Sequence, residues 1–67
     1  MRYTLQADKW STGQIADGGD RQSRALARAA RLACQEQSAV VVYNDSTCLV
    51  AIIAPNGYIE PCAGYKS

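Results

Sequence analysis

The sequence predicts an α+β domain: one amphipathic helix packed on a small, mainly antiparallel β-sheet, in the order β-α-β-β-β. Three observations predict it. Residues 20–37 hold no Gly or Pro and repeat their apolar and cationic side chains at helical spacing. After Ser38 the composition turns β-branched and apolar. Clusters of Asn, Asp, Ser, Gly and Pro then break that half into short strands. With 67 residues the chain forms a single domain, 1–67, near the lower limit for one hydrophobic core. That leaves little room for an enclosed catalytic pocket, and the natural use of such a domain is to present a surface.

Residues 2–7 alternate, with Tyr3, Leu5 and Ala7 on one side and Arg2, Thr4 and Gln6 on the other. This is the period of a half-buried strand. Residues 8–19 read as a loop, broken by Ser11, Thr12, Gly13 and Asp17-Gly18-Gly19. Within it, Gln14-Ile15-Ala16 is a candidate edge strand folding back on the first. Asp20 is the expected N-cap, since its carboxylate suits both the free amides and the positive end of the helix dipole. Leu26, Ala29, Ala30 and Ala33 form the expected core face, small enough for close approach to a sheet. Residues 39–43 and 48–54 follow as strands, separated by the turn Asn44-Asp45-Ser46-Thr47. Pro55-Asn56-Gly57 marks a tight hairpin. Residues 58–60 return as a short strand, and Pro61 ends it or marks an edge. Residues 62–67 read as a loose tail.

One helix covers one face of the sheet, and both central strands are apolar on both faces. Val40 and Val42 oppose Val41 and Tyr43; Val50 and Ile52 oppose Leu49, Ala51 and Ile53. The uncovered face is therefore expected to be sticky, answered by a homodimer packed sheet to sheet or by a partner protein.

The functional signal is a stripe. Arg21, Arg24, Arg28 and Arg31 are spaced three, four and three apart, so four of the seven cationic side chains line one side of the helix. All four are Arg, the better fork for phosphate or carboxylate. None has an acid four residues on to pair with it, so they repel one another until an anion arrives. The net charge is only +1, which points to a directed contact with an acidic surface and away from a diffuse polycation. A solvated helix face is the ordinary alternative. Leu32 lies beside the stripe and is a candidate apolar anchor. Trp10 either caps the core or stands exposed as a contact hot spot.

Other chemistry is sparse. No histidine is present, which removes the commonest general base, metal ligand and partner of a nucleophile. Cys34, Cys48 and Cys62 leave an odd thiol and no Cys-x-x-Cys pair. Cys34 and Cys48 read as small buried hydrophobes, and Cys48 and Cys62 flank the hairpin where they can come close. The opening Met1-Arg2-Tyr3-Thr4-Leu5-Gln6 lacks the apolar region of a secretory signal. The longest apolar run, 48–54, is too short to span a bilayer. These features predict a cytoplasmic protein with reduced thiols, no membrane contact and no cofactor or metal. Asp17-Gly18-Gly19-Asp20 matches neither a phosphate loop nor a calcium loop, and reads as turn and cap.

The order of elements, the Arg21/Arg24/Arg28/Arg31 stripe and the strands around 40–43 and 48–54 before Pro55-Asn56-Gly57 resemble small inhibitor proteins of phages and mobile elements, the anti-CRISPR proteins in particular. The resemblance is one of architecture and carries no diagnostic motif. It implies a non-enzymatic protein that binds and blocks a larger macromolecular complex. The contact would be made by the stripe with Leu32 and Trp10, against an acidic protein patch or nucleic acid. Two alternatives stand beside it: a small nucleic-acid-binding or regulatory protein using the same stripe on phosphates, and a structural dimerisation module using the exposed sheet face.

Overall fold

The structure, a computed structural model, describes residues 1–11 and 13–66; Thr12 of the predicted loop and Ser67 of the predicted tail lie outside the described residues. The elements run β1 (Tyr3–Ala7), β2 (Ala16–Gly19), α1 (Gln22–Glu36), β3 (Val40–Asn44), β4 (Leu49–Ile53) and β5 (Ile59–Pro61). The strands form one antiparallel sheet ordered β2-β1-β3-β4-β5. This is the expected α+β class with a further strand at the edge. The candidate edge strand at 14–16 is real but falls later, at Ala16–Gly19. Its glycines are strand residues, because a register shift between Tyr3 and Thr4 leaves room for an extra residue on β2.

α1 packs on β1, β2, β3 and β4. Its contact row is Ala25, Ala29 and Ala33, all fully buried. They meet Tyr3, Leu5, Ala7, Val40, Val42, Val50, Ala51 and Ile53 in a single core. The expected core face is displaced by part of a turn. Ala25 belongs to the buried row, while Leu26 and Ala30 are only partly buried on its margin. The methyl groups let helix and sheet come close.

The simple alternation assumed for β4 fails at a bulge. Val42 pairs with Ala51 and Tyr43 with Leu49, so Val50 is the additional residue. Val50 and Ala51 are both fully buried, and Leu49 is left 40 % exposed. On the side of the sheet away from α1, Val41 pairs with Ile52 beside Gln6. Val41, Tyr43 and Ile52 are half-buried there, which is the uncovered apolar face that the composition predicts.

The C-terminal segment is not loose. The Cys62 amide donates to the Val50 carbonyl (2.9 Å) and the Gly64 amide to the Leu49 carbonyl (2.8 Å). Gln22 then clasps Lys66, its side-chain amide donating to the Lys66 carbonyl (2.6 Å) and its side-chain oxygen accepting the Lys66 amide (2.8 Å). Gly64 is required at this crossing, since a Cβ there would lie 2.8 Å from the Leu49 carbonyl oxygen. Few apolar residues mark this stretch, so backbone pairing had no pattern to announce it.

Candidate anion-binding flank of the helix

The helix starts one residue later than its expected cap. The first intrahelical bond runs from the Ala25 amide to the Arg21 carbonyl at 2.9 Å. This makes Arg21 the N-cap, with extended backbone (φ −128, ψ 139) and no side-chain cap bond. Asp20 is therefore exposed outside the helix and does not cap it. No acidic residue lies in the first turn. Arg21 and Arg24 instead place positive charge at the positive end of the helix dipole, a location that disfavours it.

All four stripe residues are exposed. At about 100° per residue they do not stand opposite the Ala row but along one flank of α1. β2 lies under that flank. An Arg28 Nη1–H donates to the Asp17 carbonyl at 3.3 Å. Gly19, with φ +87, leaves the space beside it to Arg24 and Arg28; a Cβ there would lie 3.4 Å from Arg24 Cδ and 3.9 Å from Arg28 Nη1. Thus the stripe is partly ordered by the edge strand that the sequence read as loop.

Arg24, Arg28 and Arg31 surround a shallow open hollow of ≈ 270 Å³, lined otherwise by Ala27. A short methyl side chain stands between three long ones, and the hollow follows from that contrast. Ala27 was not among the candidates, although its place three residues after Arg24 and four before Arg31 puts a small residue inside the stripe. Arg21 belongs to the same flank but does not line the hollow.

Among the described residues none of these four guanidiniums is ion-paired. The ion pairs are Arg2–Asp17 (2.8 Å) and Lys9–Glu36 (3.2 Å). Asp17 is the nearby acid that enters the field of the flank. Its carboxylate accepts the Gly19 amide at 3.2 Å and pairs with Arg2. The Gly19 hydrogen bond above all, then Arg2, then Arg28 hold its carboxyl below the usual range, against an opposing effect of desolvation. Its charge is thus committed chiefly to Gly19 and Arg2.

The other two candidates have packing roles. Leu32 is half-buried against the core, so it is not the free anchor expected beside the stripe. It sits about 60° from the Ala row, close enough to share that row's contacts. Trp10 also packs on the core, the capping role foreseen as one of its two readings. Its loop is stitched to the far end of the helix: the Asp8 amide donates to the Ala39 carbonyl (2.8 Å), the Lys9 amide to Ser38 Oγ (3.2 Å), and Lys9 pairs with Glu36. The structure therefore gathers Arg24, Arg28 and Arg31 and leaves Trp10 at the other end.

Cys34 and Cys48 are exposed, not buried as expected, and Cys62 is half-buried; all three thiols are free. Cys34 falls on the outer side of α1, and Cys48 ends the turn before β4. Among the described residues no three His, Cys, Asp or Glu side chains gather to hold a metal ion. No helix among them is long and apolar enough to cross a membrane. No known protein family matches the chain, and no curated protein or solved structure matches it either.

Proposed function

We propose that the chain is a small non-enzymatic interaction protein that binds, and by occupying it blocks, an anionic surface of a larger macromolecular complex. The observation that carries this reading is the convergence of Arg24, Arg28 and Arg31 on one open hollow with no acidic partner among the described residues. A merely solvated helix face has no need of it. Such a face is normally laced with acids that pair with its cations, and it avoids uncompensated positive charge at the helix start. This flank does neither. The arrangement has an electrostatic cost when empty, and an anionic partner removes that cost. The absence of histidine supports a binding role over acid–base catalysis. The three free thiols suit the reducing cytoplasm.

The test is an affinity pull-down from lysate of the source cell with the wild-type chain and an Arg24→Glu/Arg28→Glu variant, each with and without nuclease treatment. The expected result is a macromolecular complex retained by the wild type and released by the variant. Equal retention by both would remove the flank from the function.

The uncovered sheet face favours a second reading, a dimerisation module. Leu49 is 40 % exposed there and Val41, Tyr43 and Ile52 are only half-buried. In that case Ile52→Lys halves the mass measured by light scattering, and charge reversal on α1 changes nothing.

A further inference from the structure

We propose that the hollow between Arg24, Arg28 and Arg31 seats a phosphodiester of a nucleic-acid strand. The inference rests on the docking role given to this flank and names what the flank grips. Three features of the site select phosphate over carboxylate.

The first is donor geometry. A carboxylate has two oxygens in one plane, which match a single bidentate guanidinium fork. Three arginines lining one hollow suit an anion whose acceptors point in several directions, as the oxygens of a tetrahedral phosphate do. Each guanidinium has five N–H donors. Arg28 commits one to the Asp17 carbonyl, which orients the head without neutralising it.

The second is access. Among the described residues, Ala27 is the only one besides the three Arg that lines the hollow. A phosphate seated there meets a methyl group and, among the described residues, no competing carboxylate. The acids nearest the flank in the chain are accounted for: Asp17 is bound by Arg2 and the Gly19 amide, and Asp20 stands exposed ahead of the helix.

The third is repetition. From Arg21 to Arg31 the flank runs about 15 Å along the helix axis at about 1.5 Å per residue. One small anion does not cover that length. A nucleic-acid strand offers a phosphate about every 3.4 Å of duplex axis, so one strand following α1 supplies the hollow and Arg21 together.

The test is fluorescence anisotropy with the full chain and a fluorescein-labelled 20-nucleotide DNA, presented as a single strand and as a duplex, with RNA of the same sequence alongside. Titrations run at 50, 100 and 200 mM NaCl, with polyglutamate as a competing polyanion. For two phosphates on the duplex, one in the hollow and one at Arg21, the log affinity falls with log salt at a slope of about −2. Arg24→Gln, Arg28→Gln and Arg31→Gln each weaken binding about tenfold, and Arg21→Gln, which gives up a phosphate of its own, flattens the slope by about one. Ala27→Leu removes no charge, yet it also weakens binding about tenfold by holding the phosphate off the guanidiniums. Leu is nearly as good a helix former as Ala, and a thermal melt of this variant confirms that the fold is kept. Polyglutamate displaces the DNA poorly.

Wild-type affinity in Ala27→Leu overturns the phosphate seat, as does polyglutamate competing as well as unlabelled DNA, or no nucleic-acid binding at 50 mM NaCl. If any of these is found while a nuclease-resistant complex is still lost on Arg24→Glu/Arg28→Glu, the docking role stands and only the phosphate falls. If that complex is also indifferent to the double variant, both fall.

Discussion

Two alanines on α1, two residues apart, divide the helix into regions with different rules. Ala29 is fully buried against the sheet. Ala27 is exposed at the base of the hollow between three arginines. The side chain is the same and the local backbone is the same helix. What differs is whether the space around the methyl is filled by the core or left open for something outside the chain. On the packed side shape governs, and on the open flank charge governs.

The sharpest way to break this comparison is to enlarge both positions equally. Ala29→Leu forces three more heavy atoms into a close-packed interface and should destabilise the fold by about 1–3 kcal/mol or more. Ala27→Leu adds the same atoms at the surface and should stay within about 0.5 kcal/mol. Urea denaturation of the two variants measures the difference directly. Equal losses would mean that Ala27 is supported by packing after all, and that the hollow is an accident of side-chain placement.

Shape also governs where the C-terminal segment crosses β4. Gly64→Ala places a Cβ 2.8 Å from the Leu49 carbonyl, a backbone atom that cannot swing aside. A loss of about 1–2 kcal/mol is expected, with faster hydrogen exchange at the Cys62 and Gly64 amides. Gln22→Ala releases both hydrogen bonds to Lys66 at an exposed site and should cost about 1 kcal/mol or less. If both variants melt like the wild type, the segment is as loose as its composition suggests.

That segment shows which parts of the molecule were legible in the sequence. The helix, β3, β4 and the hairpin at Pro55-Asn56-Gly57 all carry strong periodicity or turn chemistry, and each was found within a residue or two. The parts misread depend on contacts between segments remote in sequence. Asp17-Gly18-Gly19 reads as breaker, yet it is an edge strand because β1 is there to pair with it and a bulge absorbs Gly18. Val50 and Ala51 share the core because of another bulge that no period-two pattern reveals. The same division runs through the candidate site. Its arginines are visible as a stripe, since helical spacing alone aligns them. The orientation of Arg28 by the Asp17 carbonyl, and the room Gly19 leaves for Arg24, require β2 to lie under the helix.

On the flank governed by charge, a substitution can strengthen the fold while weakening its use. Arg21→Asp puts a carboxylate at the N-cap, where it can accept an amide of the first turn and meet the positive end of the dipole. A gain of about 1 kcal/mol is expected, read as a higher denaturation midpoint at unchanged m-value. The same change removes one cation from the flank and should reduce retention of an anionic partner. A destabilised Arg21→Asp would show that the uncapped start carries no electrostatic strain, and the argument for an awaited anion would lose one of its supports.

The smallest expected effect tests how far the field of the flank reaches. Asp17 has a lowered folded-state pKa, so its ionised form is favoured by folding. Its contribution to stability is therefore present above the unfolded value, about 3.9, and is lost as the pH falls through the lowered folded value. Asp17→Asn should differ from the wild type at neutral pH and converge with it in acid. The causes that lower it have an order: the Gly19 amide first, then Arg2, then Arg28. A carbon-13 NMR titration of the Asp17 carboxyl should show its pKa rising more in Arg2→Gln than in Arg28→Gln. Both charges act through solvent at an exposed carboxyl, so each rise should shrink in high salt. The reverse order would mean that Asp17 serves as the counter-ion of Arg28. The flank would then be partly neutralised from within, and its affinity for any outside anion would have to be correspondingly lower.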